Sequence, residues 1–149
     1  MVIKLGDLMW GWDLGEDTIG SSGIIFCYEG EYLICKRNDE GNKWSIPWGR
    51  IKEGDDPLES AIRESMEEAG IQVLMDEGED RPELIAKYTH DGRPCYVYAA
   101  ELEEKPEVYL NFEHSEFKWV KASQLPSKKE MWEQIHCAIK QWDKSKKAK

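Results

Sequence analysis

Glu64, Glu67 and Glu68 fall within five consecutive residues, with Arg63 directly before them and Gly70 shortly after. On an α-helix each residue turns by roughly 100°, so positions i, i+3 and i+4 share one face. Carboxylates held at that spacing repel by about 0.2–0.5 kcal/mol per pair. A hard divalent cation with oxygen ligands relieves the repulsion. Such a cation can also lower the pKa of a bound water. The chemistry these residues suit is the holding of a hard divalent metal ion.

The neighbouring residues predict the helix that must carry them. Asp56 can cap its start, Pro57 suits the first helical position, and Glu59 completes a capping-box-like pattern. Gly70 suits the left-handed position just past the end. Leu58, Ile62, Met66 and Ala69 recur at helical spacing, which predicts an apolar stripe on a sheet and three glutamates turned away from it. Short apolar runs at 23–28 and 32–36, around Glu29-Gly30-Glu31, predict a hairpin. Residues 84–89 and 94–102 predict a second hairpin across Asp91-Gly92. Residues 44–47 form a short extended piece, since Pro47 restrains Ile46, and 116–120 a further strand. A second helix is expected from Ser127, with Glu130 as capping partner and Met131, Ile135, Ala138, Ile139 and Trp142 as its apolar face. This order of elements predicts an α/β sandwich.

Residues 49–71, GRIKEGDDPLESAIRESMEEAGI, resemble the Nudix box, G-x5-E-x7-R-E-U-x-E-E-x-G-U, with U a bulky aliphatic residue. Gly49, Arg63, Glu64, Glu67, Glu68, Gly70 and Ile71 match. Asp55 stands where the pattern has glutamate, Ser65 where it has an aliphatic residue, and Trp48 where many members have a second glycine. Ser65 falls within the apolar arc, so its departure bears on packing more than on chemistry. The resemblance implies an α/β/α sandwich with a mixed sheet between helices, and Mg²⁺ as cofactor with Mn²⁺ as a substitute. It implies Glu64, Glu67 and Glu68 as metal-binding and catalytic residues, with Gly49, in the tight loop before the helix, as a further metal-binding position. Arg63 is implied to orient a carboxylate through a salt bridge. The segment Glu113-His114-Ser115-Glu116-Phe117-Lys118-Trp119 is similar to the E-H-x-x-[aromatic]-x-W run of the family's dinucleoside tetraphosphate hydrolases. That similarity implies Glu113, with Glu116 as second choice, as a further metal ligand or base.

Substrate contacts are expected from Trp48, Arg50, Arg37 and Tyr96. The arginines are cations at loops or strand ends, like Arg93, and Trp48, Trp10 and Trp12 are candidates for stacking on a base. Trp44, Trp119 and Trp142 read as core. His90, His114 and His136 show no metal spacing and read as structural or surface residues.

Composition narrows the class. The 149 residues suit a single domain, here 1–149, with 1–20 as an extension outside the resemblance and 145–149 as a solvated basic tail. A net charge of −10 disfavours nucleic acid as a partner. The charge is uneven: residues 1–117 carry 11 basic and 27 acidic side chains, whereas 118–149 carry 9 and 3. No apolar run reaches the roughly 18 residues of a membrane span, and no signal peptide is evident. Four widely spaced cysteines without a C-x-x-C pair predict free thiols and a cytoplasmic setting. A homodimer is left open.

The function that the resemblance implies is Mg²⁺-dependent hydrolysis of a pyrophosphate bond in a nucleoside diphosphate linked to another moiety. Nucleoside triphosphates, dinucleoside polyphosphates, nucleotide sugars and ADP-ribose are the candidate substrates. The alternative is a catalytically weak or inactive nucleotide sensor on the same fold, which Asp55 mildly favours and the intact glutamates oppose. A third reading is an acidic interaction domain whose glutamates form a solvated helix face.

Overall fold

A computed structural model describes residues 18–39, 41–73 and 81–148. The chain runs through β1 (Thr18–Tyr28), β2 (Glu31–Arg37), β3 (Trp44–Ser45), β4 (Trp48–Lys52), α1 (Pro57–Ala69), β5 (Glu83–His90), β6 (Arg93–Glu101), β7 (His114–Lys121), a short 3-10 turn at Ala122–Gln124, and α2 (Glu133–Lys147).

Both expected hairpins form, each across two residues with positive φ: Glu29 and Gly30 at 47° and 81°, Asp91 and Gly92 at 51° and 76°. Paired positive φ values give the turn whose twist matches that of the strands it joins. The seven strands form one mixed sheet. Its main path is β3-β2-β1-β6-β5, with β4 on β1 and β7 on β2. β6 lies parallel to β1 over Ser21 to Cys27, and the other pairings are antiparallel.

β1 and β2 stay paired only at Cys27–Tyr32 and Tyr28–Glu31, and then diverge. The chain from Trp44 to Lys52 fills the opening. β3 pairs with the far end of β2, and β4 with the first half of β1. Gly23 is required at this crossing, because a Cβ there would overlap the Pro47 carbonyl and the Trp48 ring. β4 was not anticipated. Gly49 was expected in a tight loop, yet it lies in a strand opposite Ser22. The turn into α1 comes later, at Gly54 (φ 92°), where Asp55 N–H donates to Lys52 C=O at 2.9 Å.

Alternation along β1 divides the core. Ile25 and Cys27 face α2, packing with Ile34, Val97, Met131, Ile135 and Ile139. Ile24 and Phe26 face α1, packing with Leu33, Leu58, Ala61, Ala69 and Tyr98. The result is the expected helix–sheet–helix sandwich.

α1 begins and ends where expected. Asp56 Oδ2 accepts from the N–H groups of Leu58 and Glu59, and Gly70 closes the helix at φ 69°. Asp56→Ala leaves those two donors without their cap and is expected to destabilise the fold by about 1 kcal/mol, read from the urea midpoint at unchanged slope. The buried face differs from the expected stripe. Ala61, Ser65 and Glu68 are buried, whereas Met66 is 52% exposed. Ser65 fits there because its hydroxyl donates back to Ala61 C=O at 2.9 Å.

α2 starts at Glu133, six residues beyond the expected Ser127. Trp44 captures the intervening backbone: its N–H donates to Glu130 C=O and its C=O accepts from Trp132 N–H. Ser127 and Glu130 do bond one another, but they close a turn rather than a helix. The basic tail also differs from expectation, since α2 continues to Lys147. Lys146 Nζ folds back to Glu101 at 2.8 Å and lies 4.0 Å from the centre of the Trp142 ring. Among the described residues no helix is long and apolar enough to cross a membrane. Cys27, Cys35, Cys95 and Cys137 are free thiols.

Candidate active site

The divergence of β1 from β2 leaves a cleft that α1 borders. A cavity of about 530 Å³ there is lined by Glu64, Glu67, Glu68 and Glu113, by Arg37, Arg50, Lys52 and Arg63, and by Trp48 and Gly49. Seven of the residues singled out as site candidates therefore meet with Trp48 and Gly49 around one space, joined by Lys52, although they come from β2, β4, α1 and the loop before β7. The exception is Tyr96. Alternation on β6 turns it to the α1 face, under Lys87 Nζ at 5.1 Å, and gives the cleft side to Cys95. Glu116 is also elsewhere, on exposed β7 with Lys36 at 3.6 Å. Trp10 and Trp12 lie outside the described residues.

The glutamates differ in setting. Glu67 is 57% exposed, Glu64 15% and Glu68 1%. Glu68 was expected on an outward face but is turned inward, where Trp48 N–H points at its Oε1 at 3.4 Å. Its Oε2 is buried and has no hydrogen-bond partner among the described residues. Burial, and then the neighbouring carboxylates Glu64 and Glu113, push Glu68 well above the usual carboxylate range. Burial raises Glu64 as well. Glu64 lies directly over Gly49, so that a Cβ at residue 49 would overlap its Cγ and Cδ.

Arg63 lies within 3.6 Å of Glu64, 3.8 Å of Asp55 and 4.0 Å of Glu67. The shortened side chain at position 55 thus still faces the same guanidinium. Arg37 is held by Asp39 at 2.7 Å and lies 5.1 Å from the centre of the Trp132 ring. Burial opposes ionisation of Asp39, but the hydrogen bond and charge of Arg37 prevail and lower its pKa. Glu113 is fixed through its backbone: its N–H donates to Asn111 Oδ1, and its C=O accepts from Asn38 N–H at 2.8 Å.

A second cavity, about 420 Å³, adjoins the first and shares Ser21, Trp48 and Trp132 with it. The Trp48 and Tyr88 rings are 17° from parallel, and Trp132 stands edge-on to Trp48 at 89°. Lys43, His90, Cys95, Lys128 and Gln134 contribute to the rim. Sequence reasoning missed Tyr88 and Trp132, whose nearness to Trp48 no local spacing reports. His114, read from the sequence as structural or surface, is 4% exposed with Nδ1 3.6 Å from Glu68 Oε1. Burial, and then the charge of Arg37, push the His114 pKa down to about 4.

Among the described residues no three Asp, Glu, His or Cys side chains already converge on one point as ligands do. The carboxylates ring a cavity instead. The donors are all oxygens, Glu68 Oε2 has no hydrogen-bond partner among the described residues, and Gly49 leaves room for Glu64, so the residues fit a hard divalent cation.

The NUDIX domain family model matches residues 19–142. An asymmetrical bis(5′-nucleosyl)-tetraphosphatase of Mus musculus is 32% identical over 108 residues, covering 68% of this chain and 73% of that one. An RNA pyrophosphohydrolase of Nitratiruptor sp. is 31% identical over 96 residues, covering 58% of this chain and 62% of that one. Among solved structures, a C. elegans Ap4A hydrolase binary complex superposes with a TM-score of 0.70 at 19% identity, over 87% of this chain and 99% of the other. A NUDIX hydrolase from Nitrosomonas europaea gives 0.71 at 23% identity, over 87% and 72%. The chain belongs to the NUDIX domain family and is a Nudix-type pyrophosphohydrolase, of a class that generally uses divalent metal ions.

Proposed function

We propose that the chain is a Mg²⁺-dependent hydrolase of dinucleoside polyphosphates. The observation that carries this reading is the joining of a carboxylate-lined cavity to an aromatic one through Ser21, Trp48 and Trp132. A substrate that fills both has a flat, stacking end and a polyanionic end. The similarity to tetraphosphatases, which spans about two thirds of both chains, favours a second nucleoside beyond the phosphates.

In this reading Glu64, Glu67 and Glu68 would hold Mg²⁺, with the backbone at Gly49 beside them and Glu113 left as the base. The bound ion would offset phosphate charge and lower the pKa of a bound water. Arg63 holds the Glu64 and Glu67 carboxylates in place. Arg37, braced by Asp39, stands between the aromatic and carboxylate cavities and meets the phosphates nearest the base. Arg50 and Lys52 line the same wall and offset the charge of the remaining phosphates. Glu113 accepts a proton from the attacking water at a carboxylate oxygen. A base stacks in the corner formed by Trp48, Tyr88 and Trp132, excluding water from that end.

The test is a hydrolysis panel with and without Mg²⁺, covering dinucleoside polyphosphates, triphosphates, nucleotide sugars, ADP-ribose and 5′-triphosphorylated RNA. Metal-dependent release of a mononucleotide, most efficient with a dinucleoside polyphosphate, is the expected result. Preference for another class would overturn the substrate assignment, and saturable binding without turnover would leave the sensor reading. Trp132→Ala is expected to raise KM about tenfold with kcat nearly unchanged. The loss is the roughly 1–3 kcal/mol typical of one stacking contact, made equally in the ground and transition states.

A further inference from the structure

We infer that His114 is a positioning residue for Glu68, donating its Nδ1–H to the Glu68 carboxylate from the side away from solvent. This rests on the reading of Glu68 as a metal-binding residue. The two side chains are 0% and 1% exposed, and His114 Nδ1 is 3.6 Å from Glu68 Oε1. That separation is a few tenths of an ångström beyond a hydrogen bond. Among the described residues neither imidazole nitrogen has a hydrogen-bond partner. Oε1 is the accepting oxygen, since Trp48 N–H already points at it. The group facing it at His114 must therefore be the donor, which fixes the proton on Nδ1 and leaves Nε2 bare. A small rotation of either side chain closes the gap and satisfies two buried groups together.

The backbone is built to keep the pair in register. His114 opens β7 opposite Arg37, at a point where the β2–β7 register shifts. Just before it, Asn111 N–H donates to the backbone C=O of Glu68 itself at 3.3 Å, and Asn111 Oδ1 accepts from Glu113 N–H. The loop that delivers Glu113 to the cavity is thus tied to both ends of Glu68. With Oε1 held by Trp48 N–H and His114, Oε2 is the oxygen left to serve as a ligand.

Such outer contacts orient metal ligands, and their loss typically costs about 10–100-fold in metal affinity. Two variants test the role. His114→Phe keeps a buried ring but has no donor, and His114→Asn keeps a donor near the position of Nδ1. Mn²⁺ affinity by calorimetry without substrate is expected to fall about 10–100-fold in His114→Phe and to recover largely in His114→Asn. In turnover, kcat should fall with the metal affinity while substrate KM stays near wild type. Nitrogen-15 spectra of the metal-free wild-type protein should show His114 as the neutral Nδ1–H tautomer, with a resonance that moves in Glu68→Gln.

An Nε2–H tautomer, or Mn²⁺ binding in a folded His114→Phe equal to wild type, would overturn the inference. A folded His114→Asn as weak as His114→Phe would do the same. If His114→Phe does not fold, the spectrum of the wild-type protein and the asparagine variant still decide. Failure of the underlying site assignment is separately visible, because Glu68→Gln would then leave Mn²⁺ affinity unchanged while the tautomer still reports the contact.

Discussion

Glu67→Gln is expected to lower kcat/KM by about 10²–10³-fold while the protein stays folded, the scale seen when one preorganised electrostatic group is removed from a site that stabilises a charged transition state. The side chain lines the carboxylate cavity and is 57% exposed. Its ion partner is Arg63 at 4.0 Å, a surface contact worth little to stability. The amide keeps shape and volume and removes the charge, so the urea midpoint should stay within the range of ordinary surface changes. Glu68 is a poorer probe of chemistry, because an amide there would sit buried among groups with unmet hydrogen bonds. Steady-state kinetics over a range of Mg²⁺, together with an unfolding curve, check the expectation. Wild-type turnover that still requires metal would sink the assignment of Glu67.

Gly49→Ala should have the second-largest effect, by displacing a neighbour rather than by removing a functional group. The new methyl would occupy the space of Glu64 Cγ and Cδ. Residue 49 lies in a β-strand without positive φ, so alanine is compatible with the backbone there. The overlap falls on the far part of a flexible side chain, which can swing aside at modest cost. The fold should persist, with Glu64 moved by an ångström or more. A misplacement of that size in a reacting constellation costs about 10²-fold. The measurements are kcat/KM and the thermal midpoint. A midpoint within a few degrees of wild type with a large loss of activity is the expected combination, and unchanged activity would mean that the position of Glu64 does not matter.

The sequence by itself determined features whose cause lies within a few residues. Asp56, Pro57 and Gly70 bound α1, because each satisfies or shapes the helix end it sits on. Glu29-Gly30 and Asp91-Gly92 specify their hairpins, because tight turns require backbone angles that few residues adopt cheaply. The carboxylate set on α1 was legible for the same reason, as spacing on one helix fixes a shared neighbourhood. The rotation of α1 was not legible. Its apolar stripe predicted Met66 inward and Glu68 outward, but the cleft beside β4 offers Glu68 the Trp48 N–H and leaves Met66 in solvent.

Competition for backbone hydrogen bonds also decided where α2 begins. Trp44 draws Glu130 and Trp132 into strand-like pairing, against a local capping signal that pointed to Ser127. Only the tertiary structure brings Trp48, Tyr88 and Trp132 into one aromatic corner, or sets His114 against Glu68, since these residues lie 40 or more positions apart. Local pattern reports which backbone shape a segment favours. Which side chains then meet in the cleft depends on how the divergence of β1 and β2 is filled, a property of the assembled sheet and of no single segment.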